Sequence, residues 1–157
     1  MIQQQVYDTV PVGVPGDKAT LNPTAYTVHN YLADASGVVA GTFVWEDADG
    51  LATNTQPDPA VAPMGIVERL LVYPGPCGAS GGATLTIDAG QAVSVVVKGD
   101  MYVEAGGSVT VGQSAYAMAD GSITFAASGA TVSGGVETDW IAKSAGTTGD
   151  TVIVSNY

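Results

Sequence analysis

The stretch Ala115–Phe125, AYAMADGSITF, contains two short runs of small, β-branched and aromatic residues on either side of Asp120-Gly121. An Asp-Gly pair between such runs is a strong signal for a hairpin turn, because glycine adopts positive φ angles without steric cost. The sequence therefore predicts a β-hairpin, with strands at Ala115–Met118 and Ser122–Phe125.

Similar runs follow one another through the second half of the chain at short, regular spacing. Turn residues separate them, for example at Asp88–Gly90 and Gly99-Asp100. Short β-branched runs divided by Gly and Asp are typical of small all-β domains. Further strands are predicted at Val93–Lys98, Met101–Glu104, Ser108–Val111, Thr131–Trp140 and Thr151–Ser155.

The first half is rich in loops, since all eight prolines precede residue 77. Proline removes an amide donor and restricts φ, so uninterrupted secondary structure is excluded there. Short strands are predicted at Val38–Glu46 and Gly65–Tyr73, with the polar loop Asp47–Pro63 between them. The nearest helix candidate, Ala25–Ala33, lacks a 3.6-residue period.

The segment Val6–Thr24 has the composition of an extended arm, with turns at Pro15-Gly16 and Asn22-Pro23.

The chain has 157 residues, 46% of them apolar and 12% charged, which excludes both an acidic disordered tail and a coiled coil. We predict a single domain over residues 1–157, with an arm at 1–24 and a β domain at 25–157. The predicted fold is a small antiparallel β-barrel or sandwich with an extended Pro-rich N-terminal arm.

Charge excludes two classes of partner. The formal net charge is −11, from fifteen acidic and four basic residues. A nucleic-acid binder needs a Lys/Arg footprint that displaces counterions from phosphates, and an anionic membrane attracts basic clusters. Single basic residues far apart in the sequence predict neither nucleic-acid nor membrane binding. These residues are Lys18, Arg69, Lys98 and Lys143.

No residue pattern predicts a cofactor, a metal site or a catalytic centre. Cys77 is the only cysteine, so no intramolecular disulfide is expected, and no signal peptide or membrane-spanning run is recognisable. His29 is the only histidine and cannot build a multi-histidine metal site. Glu46–Gly50 (EDADG) resembles part of a calcium loop without its ligand spacing, and we expect a solvated hairpin tip.

Glu137 and Asp139 lie two residues apart and would share one face of a strand, with Trp140 on the other. Paired carboxylates can serve a glycosidase. An exposed sheet face is the simpler expectation, and we predict that the protein is not an enzyme.

Two parts of the chain resemble head proteins of tailed bacteriophages of the decoration or structural cement type. The first is Pro15–Asn30 (PGDKATLNPTAYTVHN), followed by Gly41–Trp45 (GTFVW). The second is similar to that family in the spacing of its strand and turn motifs. These are Val111–Tyr116 (VGQSAY), Asp120-Gly121, Gly134–Glu137 (GGVE) and Ala145–Val154 (AGTTGDTVIV).

The resemblance implies a non-enzymatic protein that binds the outer surface of a phage head and clamps neighbouring major capsid subunits against DNA pressure. Such proteins include trimeric β-tulip or barrel forms and dimeric jelly-roll forms. It therefore implies a homo-oligomer, with a trimer favoured over a dimer, and assembly in the host cytoplasm.

We expect the arm to contact the capsid, because its apolar residues have no evident periodic role in a core. Deleting the first 20 residues should then abolish binding to undecorated shells while leaving the β fold intact. The arm could equally be an edge strand of its own domain, or exchange between protomers. The expected contact residues are Val10, Val12, Val14, Pro15, Leu21, Asn22 and Pro23.

Two other functions remain possible from the sequence. A carbohydrate-binding or adhesive β module could use aromatic side chains as stacking faces, and a small hydrolase could use Glu137 and Asp139. The first requires aromatics that are exposed rather than turned into the core. The candidate aromatics are Trp45, Tyr73, Tyr102 and Trp140.

Overall fold

The computed structural model describes residues 13–59, 61–70 and 86–157. All regular secondary structure in these ranges is β, which confirms the all-β prediction; no helix in them is long and apolar enough to cross a membrane. The strands are β1 Ala25–Tyr26, β2 Tyr31–Leu32, β3 Val38–Val39, β4 Phe43–Glu46, β5 Ala52–Thr53, β6 Gly65–Val67, β7 Thr86–Ile87, β8 Ala92–Val93, β9 Val95–Lys98, β10 Asp100–Glu104, β11 Ser114–Met118, β12 Ile123–Ala126, β13 Gly135–Ala142 and β14 Thr151–Ser155.

The strands form two five-stranded sheets and two short ribbons. The first sheet has the order β1-β9-β6-β4-β5 and the second β10-β14-β13-β11-β12, while the ribbons pair β2 with β8 and β3 with β7. Every strand pairing among them is antiparallel. Neither described sheet closes on itself, so the predicted barrel alternative is wrong.

The central strands of the first sheet are buried on both of their faces. On one face, Phe43, Ile66 and Val96 pack into a cluster shared with the second sheet, including Met101 and Phe125. On the other face, a second cluster joins the sheet to residues of the ribbons. Burial on both faces explains why β4 and β6 are continuous apolar runs rather than alternating ones. The members of the second cluster are Tyr31, Ala33, Val38, Ala40, Val44, Ala52, Val67, Ile87, Val93 and Val95.

The predicted hairpin is confirmed as β11 and β12. Ala115 lies opposite Phe125, and Ala117 opposite Ile123. At the turn Gly121 has φ of +80°, and the Asp120 Oδ1 accepts a hydrogen bond of 3.0 Å from the Ser122 amide. The turn residues thus act as their types predict.

Several predicted strand limits are wrong. Val38–Glu46 is divided into β3 and β4 by a turn in which Gly41 has φ of +81°. Ser108–Val111 contributes only an isolated bridge between Val109 and Gly146. The predicted loop Asp47–Pro63 contains the short strand β5. Ala25–Ala33 contains β1 and β2 and no helix, in agreement with the lack of a 3.6-residue period in its sequence.

Gly65→Ala should lower the free energy of unfolding by about 1–3 kcal/mol, because overpacking strains a well-packed interior. A methyl group added at Gly65 would overlap the carbonyl oxygen of Val96 on the neighbouring strand β9. Thermal or urea unfolding measures the loss. The matched control is Gly107→Ala, whose added methyl group would approach only the Thr124 Oγ1, at 3.5 Å. Equal stability of the two variants would contradict the packing of β6 on β9.

Candidate functional site at the N-terminal edge

Residues 16–19 lie along β10, which is an edge strand of the second sheet. The Gly16 amide donates to the Tyr102 carbonyl at 2.8 Å, the Tyr102 amide to the Asp17 carbonyl at 2.9 Å, and the Ala19 amide to the Asp100 carbonyl at 2.9 Å. These bonds occupy backbone groups that would otherwise be free at the sheet edge. This part of the predicted arm is therefore a strand-like edge of its own sheet.

Two ion pairs hold the same segment. The Arg69 Nε lies 2.9 Å from the Asp17 Oδ1, and the Lys18 Nζ lies 3.1 Å from an oxygen of the buried Glu68. The Lys18 ammonium is also 5.4 Å from the centre of the Tyr26 ring in β1. Hydrogen bonds to Tyr26 and Glu68 raise the pKa of Lys18. Lys18 thus remains charged at neutral pH and links the segment to the first sheet.

Asp100 fixes the next three residues. Its Oδ2 accepts hydrogen bonds of 2.6 Å from the Thr20 hydroxyl and 2.6 Å from the Asn22 side-chain amide, and the residue is only 8% exposed. Burial by itself raises the pKa of Asp100, but hydrogen bonds from Ser155, Thr20 and Asn22 and the charge of Lys143 outweigh it and lower the pKa. The ionised carboxylate therefore holds the Thr20–Asn22 loop against the start of β10.

The loop borders a cleft of about 510 Å³, lined by Thr20, Asn22 and Pro23 on one side and by residues of the C-terminal region on the other. Leu21, between two of these lining residues, is fully exposed. The Lys98 ammonium lies 5.2 Å from the centre of the Tyr157 ring, which also lines the cleft. We call this surface the basic edge; it comprises Leu21, Asn22, Pro23, Lys98, Lys143 and Tyr157.

The predicted contact residues divide into three groups. Leu21, Asn22 and Pro23 are exposed at the basic edge. Val14 is half-buried, and Pro15 is buried against Gly41. The remaining two, Val10 and Val12, lie outside the described residues, as does all of the predicted arm before residue 13.

All four basic residues of the chain lie either in this edge or in the ion pairs that hold residues 16–19. Lys18 and Arg69 are in the ion pairs above, Lys143 lines the cleft, and Lys98 stacks on Tyr157. Nothing in their sequence spacing indicates this, because positions 18, 69, 98 and 143 belong to four separate segments. Only the pairing of strands brings them together.

The acidic motif at Glu46–Gly50 is the tip of the β4–β5 hairpin, as predicted. The Asp47 Oδ1 accepts hydrogen bonds of 2.9 Å from the Asp49 amide and 2.8 Å from the Leu51 amide. The carboxylate therefore stabilises the turn itself. Across the described ranges, no group of three or more His, Cys, Asp or Glu residues could hold a metal ion.

Glu137 and Asp139 are exposed on β13, and Trp140 is buried, so their predicted facing is confirmed. Both Glu137 oxygens lie 3.1 Å from the Gly129 amide. Hydrogen bonds from Ser128, Gly129 and Ser114 lower the pKa of Glu137. This carboxylate anchors the loop that follows β12.

The aromatic residues of the carbohydrate-binding alternative are largely unavailable for stacking. Trp45 and Trp140 are 1% and 3% exposed, and the Trp45 indole donates a hydrogen bond of 2.9 Å to the Val61 carbonyl. Tyr102 is half-buried on β10, and Tyr73 lies outside the described residues. Two of the four aromatics thus belong to the core.

His29 is exposed and makes an edge-to-face contact with Tyr31. Cys77 lies outside the described residues.

Comparison with known proteins defines the class as a phage structural protein. A family of such proteins, described as "Structural cement protein (E217 gp24/Pam3 gp6)", has a sequence model that matches residues 2–156. The chain therefore belongs to this structural cement family, as its sequence motifs suggested. It has a cement or decoration role on a phage capsid, and membership of this family implies binding to capsid subunits.

The fold also has a solved counterpart. A chain from the structure entitled "The capsid of Myoviridae Phage XM1" superimposes with a TM-score of 0.63, covering 99% of this chain and 96% of that one, at 21% sequence identity. At this identity the likeness concerns the fold. A search of curated protein sequences finds no match.

Asp100→Asn should loosen the Thr20–Asn22 loop, because the amide loses the charge that strengthens both hydrogen bonds. Hydrogen exchange at the Ala19 and Asn22 amides should become faster in this variant at pH 7. In the wild-type protein the folded pKa is lowered, so this stabilisation is complete above the unfolded pKa of about 3.9 and is lost as pH falls through the folded value.

In the wild-type protein, the protection of these amides relative to their intrinsic exchange rate should therefore fall as pH drops through the folded pKa of Asp100, whereas the variant should lack this step. Asp88→Asn, at an exposed position before β8, is the control. If hydrogen exchange at Ala19 and Asn22 is the same in the Asp100 variant and in the wild-type protein, the carboxylate does not hold the loop.

Proposed function

We propose that this protein binds the outer surface of a phage head, where it clamps neighbouring major capsid subunits against internal DNA pressure. It does so through the basic edge. Its role is mechanical and involves no catalysis. The observation that carries the proposal is the fully exposed Leu21 on a loop that Asp100 holds in place.

The geometry of this loop suits a docking contact. An exposed apolar side chain gains free energy when it enters a partner's pocket, and a loop that is already ordered loses little entropy on binding. Asp100 and the bonds between residues 16–19 and β10 supply that order. Pro23 adds a fixed φ beside Leu21. The exposed Tyr157 extends the apolar surface on the other side of the cleft.

The regular lattice of the shell strengthens binding beyond the affinity of a single contact. When oligomeric cement proteins bind a regular lattice, the second and third contacts form at high effective concentration, so avidity exceeds the affinity of one contact. A formal net charge of −11 favours solubility of the free protein during assembly, which we place in the host cytoplasm.

Leu21→Glu should weaken binding to undecorated shells about tenfold or more, because burial of a leucine side chain contributes about 1.5–3 kcal/mol. Cosedimentation of purified protein with shells that lack cement measures the affinity. The matched control is Val111→Glu, which places the same charge at another exposed apolar residue. Equal binding by the Leu21 variant and the wild-type protein would remove this loop from the contact.

A separate variant without residues 1–12 tests the contribution of Val10 and Val12. It is a cleaner probe than deletion of the first 20 residues, because the longer deletion also removes the pairing of residues 16–19 with β10.

The favoured assembly is a homotrimer. Light scattering of the free protein at micromolar concentration should then give a mass of about 47 kDa, three times the 15.7 kDa of the chain. Trimers would seat at three-fold or quasi-three-fold positions of the lattice. A mass of about 31 kDa, twice the chain mass, would instead place dimers at two-fold contacts.

A further inference from the structure

The basic edge concentrates the positive charge of an otherwise acidic protein. Asp100, beside this edge, and Asp17 and Glu68, which pair with Arg69 and Lys18, are each occupied by a hydrogen bond or an ion pair. Other carboxylates lie elsewhere, among them those of the Glu46–Asp49 tip beside β5, at the opposite edge of the first sheet. The molecule is thus electrically asymmetric.

From this asymmetry, and resting on the proposed function, we propose that the capsid surface bound by the basic edge is acidic, with carboxylates placed to meet Lys98 and Lys143 around an apolar site for Leu21. The partner is recognised by the combination of negative charge and an apolar depression.

Lys98 and Lys143 are the two cations free to make such contacts. Lys18 and Arg69 are neutralised within the chain by Glu68 and Asp17. Within the described residues, neither Lys98 nor Lys143 has a carboxylate within ion-pair distance, and both are exposed. The charge of Lys143 acts on Asp100. The Asp100 carboxylate is already bound by Thr20 and Asn22.

The acidic remainder of the protein surface also favours one orientation of the protein on an acidic partner. A negatively charged partner repels the acidic remainder of this protein and attracts only the basic edge, so the field turns the molecule before contact. A neutral partner would exert no such field, and a basic partner would attract many faces of a molecule whose net charge is −11. The arrangement therefore fits an acidic partner.

Nucleic acid fits this edge poorly. Binding to phosphates needs several cations that together displace counterions, and two unpaired lysines supply too few. A second copy of this chain could present its own acidic tip, and the oligomeric state of the variants distinguishes that occupant from the capsid.

The test compares Lys98→Gln/Lys143→Gln with Thr131→Asp/Ser133→Asp in cosedimentation with undecorated shells. Each double variant changes the formal net charge from −11 to −13. Thr131 and Ser133 are exposed in the loop that follows β12, at the other edge of the second sheet. Binding is measured at about 50 mM and about 300 mM salt, where screening differs strongly.

We expect wild-type binding to weaken with salt, the lysine variant to bind at least about fivefold more weakly at low salt, and the control to bind like the wild type. The difference between the lysine variant and the wild type should shrink at high salt. Light scattering should show the same mass for all three proteins.

Wild-type-like binding by the lysine variant would overturn the acidic-partner inference. If Leu21→Glu still weakened binding, the proposed docking edge would survive. Equal losses in the two double variants would also overturn the inference, since they would reflect net charge alone. A changed mass for the lysine variant would assign the edge to contacts between copies. Failure of the wild-type protein to bind shells would instead refute the proposed function itself.

Discussion

The hydrogen bonds of Asp100 join the parts of the molecule on which the proposed site depends. Asp100 begins β10 directly after the Lys98-Gly99 corner that connects the two sheets, and its cross-strand neighbour is Ser155 of β14. Its carboxylate accepts from Thr20 and Asn22. A buried carboxylate with several donors is stable in its charged form, and each donor is fixed in turn. The N-terminal segment is therefore ordered by a group in the middle of the chain.

This arrangement changes the physical meaning of the N-terminal segment. A proline-containing stretch with scattered apolar residues is usually expected to extend away from a domain. Here Gly16–Ala19 pairs with β10 and Pro15 is buried, so this portion serves its own sheet first. Among the described residues of the segment, the short exposed loop beyond this portion remains for a partner. The protein thus combines a protected sheet edge with a rigid, partly apolar surface beside it.

The same topology separates two kinds of basic residue that are equivalent in the sequence. Lys18 and Arg69 stabilise the fold of the segment through local ion pairs, and such partly exposed pairs contribute little individually. Lys98 and Lys143 belong to the basic edge and have no described ion-pair partner. In a protein of this acidity, two unpaired lysines on one edge are a strong feature of the electrostatic field, although they are a small fraction of the residues.

The sequence by itself determined what local chemistry controls: an all-β chain, the hairpin around Asp120-Gly121, the acidic tip at Glu46–Gly50, and the inward face of Trp140. Each follows from turn residues or two-residue alternation, which act over a few positions. Its strand-and-turn motifs also indicated the cement family. The burial of the central strands of the first sheet on both faces, the anchoring of Thr20 and Asn22 by Asp100, and the placement of four distant basic residues in ion pairs or in the basic edge came only from the tertiary structure. These features depend on contacts between segments up to about eighty residues apart, such as Thr20 and Asp100, and no local pattern encodes which distant strands become neighbours.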